Sequence, residues 1–390
     1  MRIAFINSCL ELGRDGVGDY TRSLAQECVR QGHKCCLVAL NDYHVSEPTK
    51  VSCGDDLQQL RLPTTMSWPK RIQVAQEMLN AFAPDWISLQ FVPYAFHPKG
   101  FVHGLGRRLR PLLARRQVHI MFHELWIGEP TDSSLQHRLV GAIQKRLILQ
   151  LTRQLKPITI HTSNDIYTSI LAREGITARR LPLFGNVPVE EKTGNDWLFA
   201  ELRKADVEIS ASNREKFWLT GFFGALPPHW SPEPVLTTLL QAADRNSRRL
   251  VILSIGEIVS GEPLWQELMQ RYSLKIKFLK FGRQPAEKVS QFLNSLDFGL
   301  AATAYGRIGK SGAVAAMLDH GLPVIVSQDE EFRTVLASKD RNEPLLYRLD
   351  HLPKRLDAGL ERQAACARLP EIAAHFIQDL QKPLFCIKPQ

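Results

Sequence analysis

The chain has 390 residues, more than one ordinary hydrophobic core organises, so its length predicts two domains. Its apolar content of 44% and charged content of 23% are typical of a globular protein, and its apolar runs are too short to span a bilayer. The seven cysteines lack CxxC spacing, and no cluster of His, Cys and carboxylates has metal-ligand spacing. These features favour reduced thiols in the cytoplasm and exclude an obvious metal site.

The formal net charge of +9 is concentrated in the first half of the chain. Residues 1–188 carry 23 Lys/Arg and 15 Asp/Glu, against 26 and 25 in residues 189–390. The excess is densest from Arg107 to Arg116, where basic and apolar residues interleave. This segment predicts either a peripheral contact with an anionic membrane or acidic substrate, or the solvated face of an ordinary helix. Nucleic acid is not expected as a partner, because the chain has no recognisable binding module.

A strand–helix–strand unit opens the chain. Its elements are predicted at Arg2–Asn7, Asp19–Arg30 and Lys34–Leu40. The first strand is a short apolar run that ends in a polar residue, and we therefore do not interpret it as a signal peptide. A strand, a helix and a strand in this order predict a parallel sheet.

The loop after the first strand is rich in glycine. Ligands bind at the carboxyl ends of parallel strands, which makes Gly16 and Gly18 candidates for close approach to a ligand. The two glycines do not form a dinucleotide fingerprint, because Thr21 stands where the third glycine would be. The need for a tight turn would also explain both of them.

Strands and helices alternate along the rest of the chain. Further strands are predicted at Trp86–Gln90, Val118–Phe122, Ile158–His161, Phe217–Phe223, Arg249–Ile255, Lys275–Lys280, Phe298–Ala302 and Pro323–Val326. A long helix is predicted at Leu135–Leu155, and residues 181–188, with two prolines and a glycine, predict a linker. We therefore expect an α/β protein with domains at residues 1–187 and 188–370, and a last helix at about 371–390 that is able to pack back on the first domain.

A glycine-rich segment, residues 305–312, joins a buried strand to a helix. Free N–H groups and the positive end of a helix bind phosphate, and Arg307 and Lys310 add two cations. The segment ends in Gly309-Lys310-Ser311-Gly312, which looks like part of a P-loop, but Ala304 stands where that motif needs its first glycine. A strand–helix turn that merely needs glycine is the other interpretation.

Four segments, in this order, resemble the retaining group 1 (family 4) glycosyltransferases, which have the GT-B fold. They run from Asp15 to Ala25 with Arg30 to His33, from Phe122 to Trp126, from Phe281 to Arg283 with Val289 to Asp297, and from Gly309 to Val326. The resemblance implies two Rossmann-like domains that face each other across a cleft, the second holding a nucleotide-sugar donor. It implies sugar transfer in the cytoplasm, or at the inner face of the membrane, to a glycan, lipid-linked or small-molecule acceptor, with retention. The sequence contains no Asp-x-Asp, the usual carboxylate pair for a metal–diphosphate complex, so we expect transfer without a metal or other cofactor.

The resemblance also assigns roles to residues. His123 would contact the transferred sugar, unless it is a structural histidine, and Arg307 and Lys310 would stabilise the charge of the leaving diphosphate. The donor is expected to lie against Gly16, Gly18, Gly224, Gly282, Arg283, Gly309, Ser311 and Gly312. The candidates on the acceptor side are Asp19 and Glu124, as bases in an inverting reaction, and Trp126, as a surface for stacking on a sugar.

The chain departs from the family at two glutamates that usually lie eight residues apart. The aligned positions are Ile308 and Ala316 in one register and Gly306 and Val314 in the other. The loop at residues 221–230 also lacks the Arg and Lys that usually hold the diphosphate. A catalytically inactive relative that binds a nucleotide or a glycan is therefore the alternative function.

Overall fold

The computed structural model describes residues 1–52, 56–190, 196–328 and 343–382. The described chain divides into two compact units. The first comprises residues 1–183 and a last helix that begins at Leu369, and the second comprises the described residues between Phe184 and Arg368.

The first unit is built on a sheet to which the described residues contribute eight strands. The strands are β1 (Arg2–Asn7), β2 (Lys34–Asp42), β3 (Thr49–Ser52), β4 (Leu57–Pro63), β5 (Trp86–Phe91), β6 (Gln117–Phe122), β7 (Thr159–Thr162) and β8 (Arg179–Arg180). Their order is β3-β4-β2-β1-β5-β6-β7-β8, and every pair is parallel except β3 with β4. The helices are α1 (Gly16–Arg30), α2 (Trp68–Phe82), α3 (Pro93–Phe96), α4 (Leu105–Leu113), α5 (Leu135–Leu155) and α6 (Asp165–Arg173).

The second unit contains a parallel sheet in the order β11-β10-β9-β12-β13-β14, counted over its described residues. The strands are β9 (Phe217–Phe223), β10 (Arg249–Ile255), β11 (Lys277–Lys280), β12 (Phe298–Ala301), β13 (Val324–Val326) and β14 (Leu346–Arg348). The helices are α7 (Asp196–Lys204), α8 (Glu233–Arg245), α9 (Glu262–Tyr272), α10 (Ala286–Ser295), α11 (Gly312–Asp319) and α12 (Leu352–Ala358). Alternate side chains of β9 enter two separate apolar clusters, as expected of a strand covered on both faces.

The last helix, α13 (Leu369–Gln381), belongs to the first unit. It packs on α1, and the Phe376 ring lies 5.8 Å from the ring of Phe5 in β1. Of the helix predicted at about 371–390, residues 383–390 lie outside the described part of the chain. None of the helices in the described ranges is long and apolar enough to cross a membrane.

The structure confirms the strands predicted from apolar runs, with ends that shift by no more than two residues. It adds β3, β4, β8 and β14, which the sequence analysis did not identify. These strands lie at or next to the edges of the sheets, and they are short or carry polar residues such as Gln58 and Arg61. Because an edge strand is half solvated, it lacks the apolar run on which the predictions relied.

Candidate functional site

In the first unit, ion pairs hold the glycine-rich loop that follows β1. The buried Asp42 carboxylate accepts hydrogen bonds from the Leu10 backbone N–H at 3.1 Å and from Arg61 at 2.7 Å. Burial opposes the charge on Asp42, but the bonds from Arg61 and backbone N–H groups outweigh it and lower the pKa of this carboxyl. Arg61 also pairs with Glu11, so both ends of this guanidinium fix the start of the loop.

The two predicted glycines of this loop have different surroundings. A Cβ on Gly18 would lie 2.8 Å from the carbonyl oxygen of Cys9, so packing of α1 on the loop is enough to require glycine there. A Cβ on Gly16 would meet no atom within 4 Å, which leaves its backbone open to a ligand. The Asp19 carboxylate accepts from the Gly13 N–H at 3.1 Å and therefore supports the loop itself.

His123 lies directly after β6, at the carboxyl edge of the sheet. Its ring is 8% exposed, and its Nε2 lies 2.8 Å from Oε1 of Gln90 in β5. The edge of the ring packs against Tyr20 of α1, with ring centres 5.0 Å apart. Burial lowers the pKa of His123 to about 3, so this imidazole is neutral at physiological pH and acts as a hydrogen-bonding group rather than a cation.

The two acceptor-side candidates after His123 differ in exposure. Glu124 is half-buried, whereas the ring of Trp126 is buried in the apolar core of the first unit. The indole N–H of Trp126 donates to Glu129 at 2.6 Å. The geometry therefore gives Trp126 a packing role in this loop and leaves little of its ring surface for stacking on a sugar.

A continuous row of hydrogen bonds, buried except at its far end and called here the histidine chain, leads away from His123. It consists of His123, Gln90, Ser88, His119, His161 and Asp379, and neighbouring members are 2.7–3.0 Å apart. The sequence analysis missed it, because its members come from three strands and from α13. The available signal was the presence of Ser, Gln and His inside runs otherwise typical of buried strands.

In the second unit, three glycines meet at the carboxyl ends of neighbouring strands. Gly224, Gly256 and Gly282 follow β9, β10 and β11 and have φ values of +81°, +91° and +62°. The Gly224 N–H donates to Ile255 at 2.8 Å, and the Gly256 N–H donates to the carbonyl oxygen of Gly282 at 2.7 Å. A Cβ on Gly256 would lie only 3.1 Å from the Cα of Gly224. The surface at these strand ends is therefore formed by backbone without side chains, and it lies where α/β proteins bind ligands.

Two of these glycines were predicted, and Gly256 was not. It could have been found from its position directly after the predicted strand Arg249–Ile255, which matches the position of Gly224 after Phe217–Phe223. The side chain of Arg283, which follows the third glycine, is exposed.

The predicted phosphate loop forms a more ordered structure than an open glycine loop. Residues Tyr305–Lys310 form a 3-10 helix, and α11 begins at Gly312. Ser311 caps α11, with its side chain accepting from the Val314 N–H at 3.3 Å. A Cβ on Gly312 would meet nothing within 4 Å, so the start of this helix is open to a ligand.

Three cations lie in or beside the segment that precedes this helix. The side chains of Arg307 and Lys310 are half-buried. A third cation, which the sequence analysis missed, is Arg348 at the end of β14, whose guanidinium lies 5.1 Å from the centre of the Tyr305 ring. An anionic group at the start of α11 would therefore lie close to a set of positive charges.

In one of the two registers, the positions of the missing glutamates are in the interior of the second unit. Ile308 and Ala316 are both buried. A Cβ on Gly185 would lie 2.7 Å from the Cα of Ala316, so the backbone of this segment packs directly on α11. In this register, neither position has space for a carboxylate that faces solvent or a ligand. Among the described residues, no three His, Cys, Asp or Glu side chains are grouped as a metal site.

Comparison with known proteins identified the fold. No protein family and no curated protein matched the sequence. The structure is similar to HepE from Anabaena in complex with UDP and glucose, with a TM-score of 0.54 and 14% identity over 98% of this chain and 100% of that chain. It is also similar to WaaG, a glycosyltransferase involved in lipopolysaccharide biosynthesis, with a TM-score of 0.52 and 12% identity over 96% of this chain and 95% of that chain.

A third similar structure is UDP-GlcNAc 2-epimerase from Methanocaldococcus jannaschii, with a TM-score of 0.52 and 11% identity over 98% of this chain and 100% of that chain. At these identities the similarity shows the fold alone. The chain is an α/β protein of the GT-B fold, with two parallel Rossmann-like sheets, as the sequence analysis predicted. Proteins with this fold include both glycosyltransferases and epimerases that use nucleotide sugars.

Acid should destabilise the first unit through its buried histidines. Burial lowers the pKa of His119, His123 and His161, so the folded chain holds them neutral, whereas the unfolded chain protonates them near pH 6.5. Stability is therefore complete above about pH 6.5 and falls below it, by up to about 1.4 kcal/mol per pH unit for each histidine. Thermal unfolding measured between about pH 7.5 and pH 5.5 should show this fall.

Two variants separate this effect from general acid sensitivity. His123→Gln removes one of the three protonation sites and should make the fall shallower. His103→Gln changes an exposed histidine of the same unit and should leave it unchanged. An unfolding temperature that stays constant or rises towards pH 5.5 would contradict the prediction.

Proposed function

We propose that this chain is a cytoplasmic glycosyltransferase that moves a sugar from a nucleotide-sugar donor to an acceptor, with retention and without a metal. The observation that carries the proposal is the carboxyl edge of the second sheet. Bare backbone at Gly224, Gly256 and Gly282 lies at the ends of three neighbouring strands, and the open start of α11 follows a fourth. A nucleoside diphosphate needs both an unobstructed surface and a positive one.

The chemical step of the proposal depends on charge. When the glycosidic bond of a nucleotide sugar breaks, negative charge builds up on the departing diphosphate. Fixed cations and oriented N–H groups stabilise that charge in the transition state. We assign this role to Arg307 and Lys310 in the segment that leads into α11, to Arg348 beside Tyr305 at the beginning of that segment, and to backbone N–H groups of Gly309 and Gly312. In this assignment the protein's cations take the place of a metal ion.

The first unit is assigned to the sugar and the acceptor. His123 is neutral and lies at a strand end, which suits a hydrogen bond with a sugar hydroxyl better than an ionic contact. Asp19 bonds the loop backbone, so it is poorly placed as the carboxylate base that an inverting reaction would need. A retaining reaction needs no such base, so the engagement of Asp19 with the loop is compatible with retention.

An inactive relative that only binds a nucleotide or a glycan is the second candidate. It is favoured by the burial of Ile308 and Ala316. In one of the two registers, these positions align with glutamates in active members of the family that the chain resembles. Incubation with UDP-, GDP- and ADP-glucose separates the candidates, since a transferase hydrolyses its donor slowly without an acceptor and an inactive binder does not. Incubation with UDP-GlcNAc, followed by analysis of the sugar released or converted, tests for the epimerase chemistry of a structural neighbour.

Lys310→Ala should reduce turnover by roughly 10²–10³, the usual loss for one such group in the transition state. The side chain is half-buried at the surface, so folding should not change. Steady-state transfer and a thermal melt check the two parts of this prediction. Lys354→Ala, which removes an exposed lysine on α12 of the same unit, is the matched control and should behave as wild type. Transfer by Lys310→Ala at nearly the wild-type rate would show that the phosphate assignment is wrong.

EDTA should leave the transfer activity unchanged. The proposal uses no metal, because it assigns to cations of the protein the positive charge that a metal ion would otherwise supply to the diphosphate. Activity measured with EDTA and then with added Mg²⁺ checks this. A complete loss in EDTA that Mg²⁺ reverses would refute the metal-independent part of the proposal.

The proposal includes peripheral contact with the inner face of an anionic membrane, which suits a lipid-linked acceptor. Most of the basic segment lies in α4, whose Leu105, Leu109 and Leu112 are buried in the core, whereas Arg107 and Arg110 are exposed. The apolar contact must then come from another element. Helix α5 lies beside α4 and offers one: an exposed row of Leu135 (75%), Leu139 (70%) and Ile143 (51%).

This row belongs to a single face of α5. The positions Leu135, Leu139 and Ile143 are four residues apart, and the exposed Arg146 and Arg153 continue the same face towards the end of the helix. Apolar side chains next to arginines suit an anionic bilayer surface. We use "the α5 face" for these five residues.

Removal of the α4 arginines should weaken binding to vesicles of phosphatidylcholine and phosphatidylglycerol. Each arginine adds about 1 kcal/mol near an anionic surface, so Arg107→Gln with Arg110→Gln should reduce binding by up to about 30-fold. High salt should have a similar effect, and neutral vesicles should bind weakly. Lys354→Gln with Arg355→Gln, on α12, is the matched control. Equal co-sedimentation with neutral and anionic vesicles, or with neither, would contradict membrane contact.

A further inference from the structure

The histidine chain joins the predicted sugar contact to the last helix of the protein. At one end is His123, and at the other is Asp379 on α13, more than 250 residues away in sequence. Ser88, His119 and His161 are fully buried, and Gln90 is nearly so. Because no water-exposed group interrupts the row, the choice of donor and acceptor in each hydrogen bond is determined by the neighbouring bond.

Asp379 determines that direction. As a carboxylate it can only accept, so Nε2 of His161 must carry a hydrogen and donate it across 2.8 Å. In a neutral His161, Nδ1 is then an acceptor, and it takes a hydrogen from Nε2 of His119 at 3.0 Å. Nδ1 of His119 is in turn an acceptor, which requires the Ser88 hydroxyl to donate to it at 2.8 Å.

The same logic continues to His123. The Ser88 hydroxyl donates its hydrogen to His119. Its oxygen therefore acts as an acceptor for Nε2 of Gln90 at 2.7 Å. The amide oxygen of Gln90 then faces Nε2 of His123 at 2.8 Å, and that nitrogen must donate. All three histidines therefore carry their hydrogen on Nε2.

The Asp379 carboxylate disfavours the opposite direction of the hydrogen bonds. Reversed bonds would place an unprotonated nitrogen of His161 against Asp379, or they would require a doubly protonated, charged His161. Burial lowers the pKa of His161, and the nearby carboxylate offsets this only in part, so the neutral form is preferred. Burial works against the charge of Asp379, yet the bonds from His161 and Arg179 outweigh it and hold the pKa of Asp379 below its usual range.

We propose that Asp379 is a positioning residue: through the histidine chain it keeps the hydrogen of His123 on Nε2 and leaves Nδ1 as an acceptor for a sugar hydroxyl. No described hydrogen bond uses Nδ1 of His123, and the ring lies at the carboxyl edge of the sheet. The tautomer follows from the structure alone, whereas its use on a sugar hydroxyl rests on the proposed function.

The wild-type tautomers are tested by nitrogen NMR of the full chain labelled with ¹⁵N-histidine. The ring nitrogens of His119, His123 and His161 should each show a protonated Nε2 and an unprotonated Nδ1. The opposite pattern at His123 in the wild type would overturn the proposal at once.

Asp379→Asn tests the control by the carboxylate. Arg179 donates to one side of residue 379, which holds an amide oxygen on that side and turns the amide N–H₂ towards His161. Nε2 of His161 must then accept, every later bond reverses, and Gln90 turns its amide. His123 should therefore move its hydrogen to Nδ1. Asp165→Asn, at another carboxylate of the same unit that pairs with Arg180, should leave all three tautomers unchanged.

A second variant keeps the test informative if Asp379→Asn does not fold. Ser88→Ala removes only a hydroxyl, in the middle of the chain. His119 and His161 remain under the control of Asp379 and should keep the wild-type pattern, while His123 should become a mixture of tautomers. A His123 that keeps Nε2–H alone in both variants would overturn the proposal.

Measurements of sugar transfer then test whether the tautomer of His123 matters for the reaction. Loss of a side chain that orients a functional histidine typically costs about 10- to 100-fold, and we expect Asp379→Asn to reduce sugar transfer by that factor. Reversed tautomers with unchanged transfer would overturn the role of His123 as an acceptor for a sugar hydroxyl, although the control by Asp379 would hold. An absence of transfer and hydrolysis in the wild type would instead refute the proposed function, and the NMR result would be unaffected.

Discussion

The carboxylate of Asp379 is the contact on which the interior of the first unit depends. Parallel sheets covered on both faces are normally apolar, yet Gln90, Ser88, His119 and His161 lie on buried strands. A buried polar group without a partner costs about 1–3 kcal/mol, so such a row is stable only if every member is bonded. Asp379 ends the row with an acceptor, and α13 therefore belongs to the first unit although it follows the second in sequence.

The two units contribute groups of different chemistry at the carboxyl edges of their sheets. The first has a neutral histidine held by hydrogen bonds, whereas the second has cations beside the start of α11 and bare backbone at three glycines. Neutral donors and acceptors suit sugar hydroxyls, and cations suit phosphates. This division matches the roles that we propose for the two units.

In the register that aligns them with Ile308 and Ala316, the glutamate positions of the family that the chain resembles are part of the apolar interior. Ala316 packs against the backbone at Gly185, and Ile308 lies in the core of the second unit. The buried carboxylate next to them, Asp319, accepts from the Gly185 N–H and pairs with Arg368, so it is committed to holding the unit together. If the chain binds a nucleotide sugar as we propose, the contacts that a glutamate would make to ribose and sugar in this register come from other groups.

Local pattern was enough to predict the architecture. Apolar runs located the buried strands, because burial on both faces leaves a signature in a few adjacent residues, whereas Gly224 and Gly282 were predicted from the resemblance to a family. The edge strands and the cation Arg348 lack such a signature. The histidine chain, and with it the tautomer that we propose for His123, was decided only by the tertiary structure: a hydrogen bond acts between atoms a few ångströms apart, and Asp379 reaches His161 only after the last helix has packed on the first sheet.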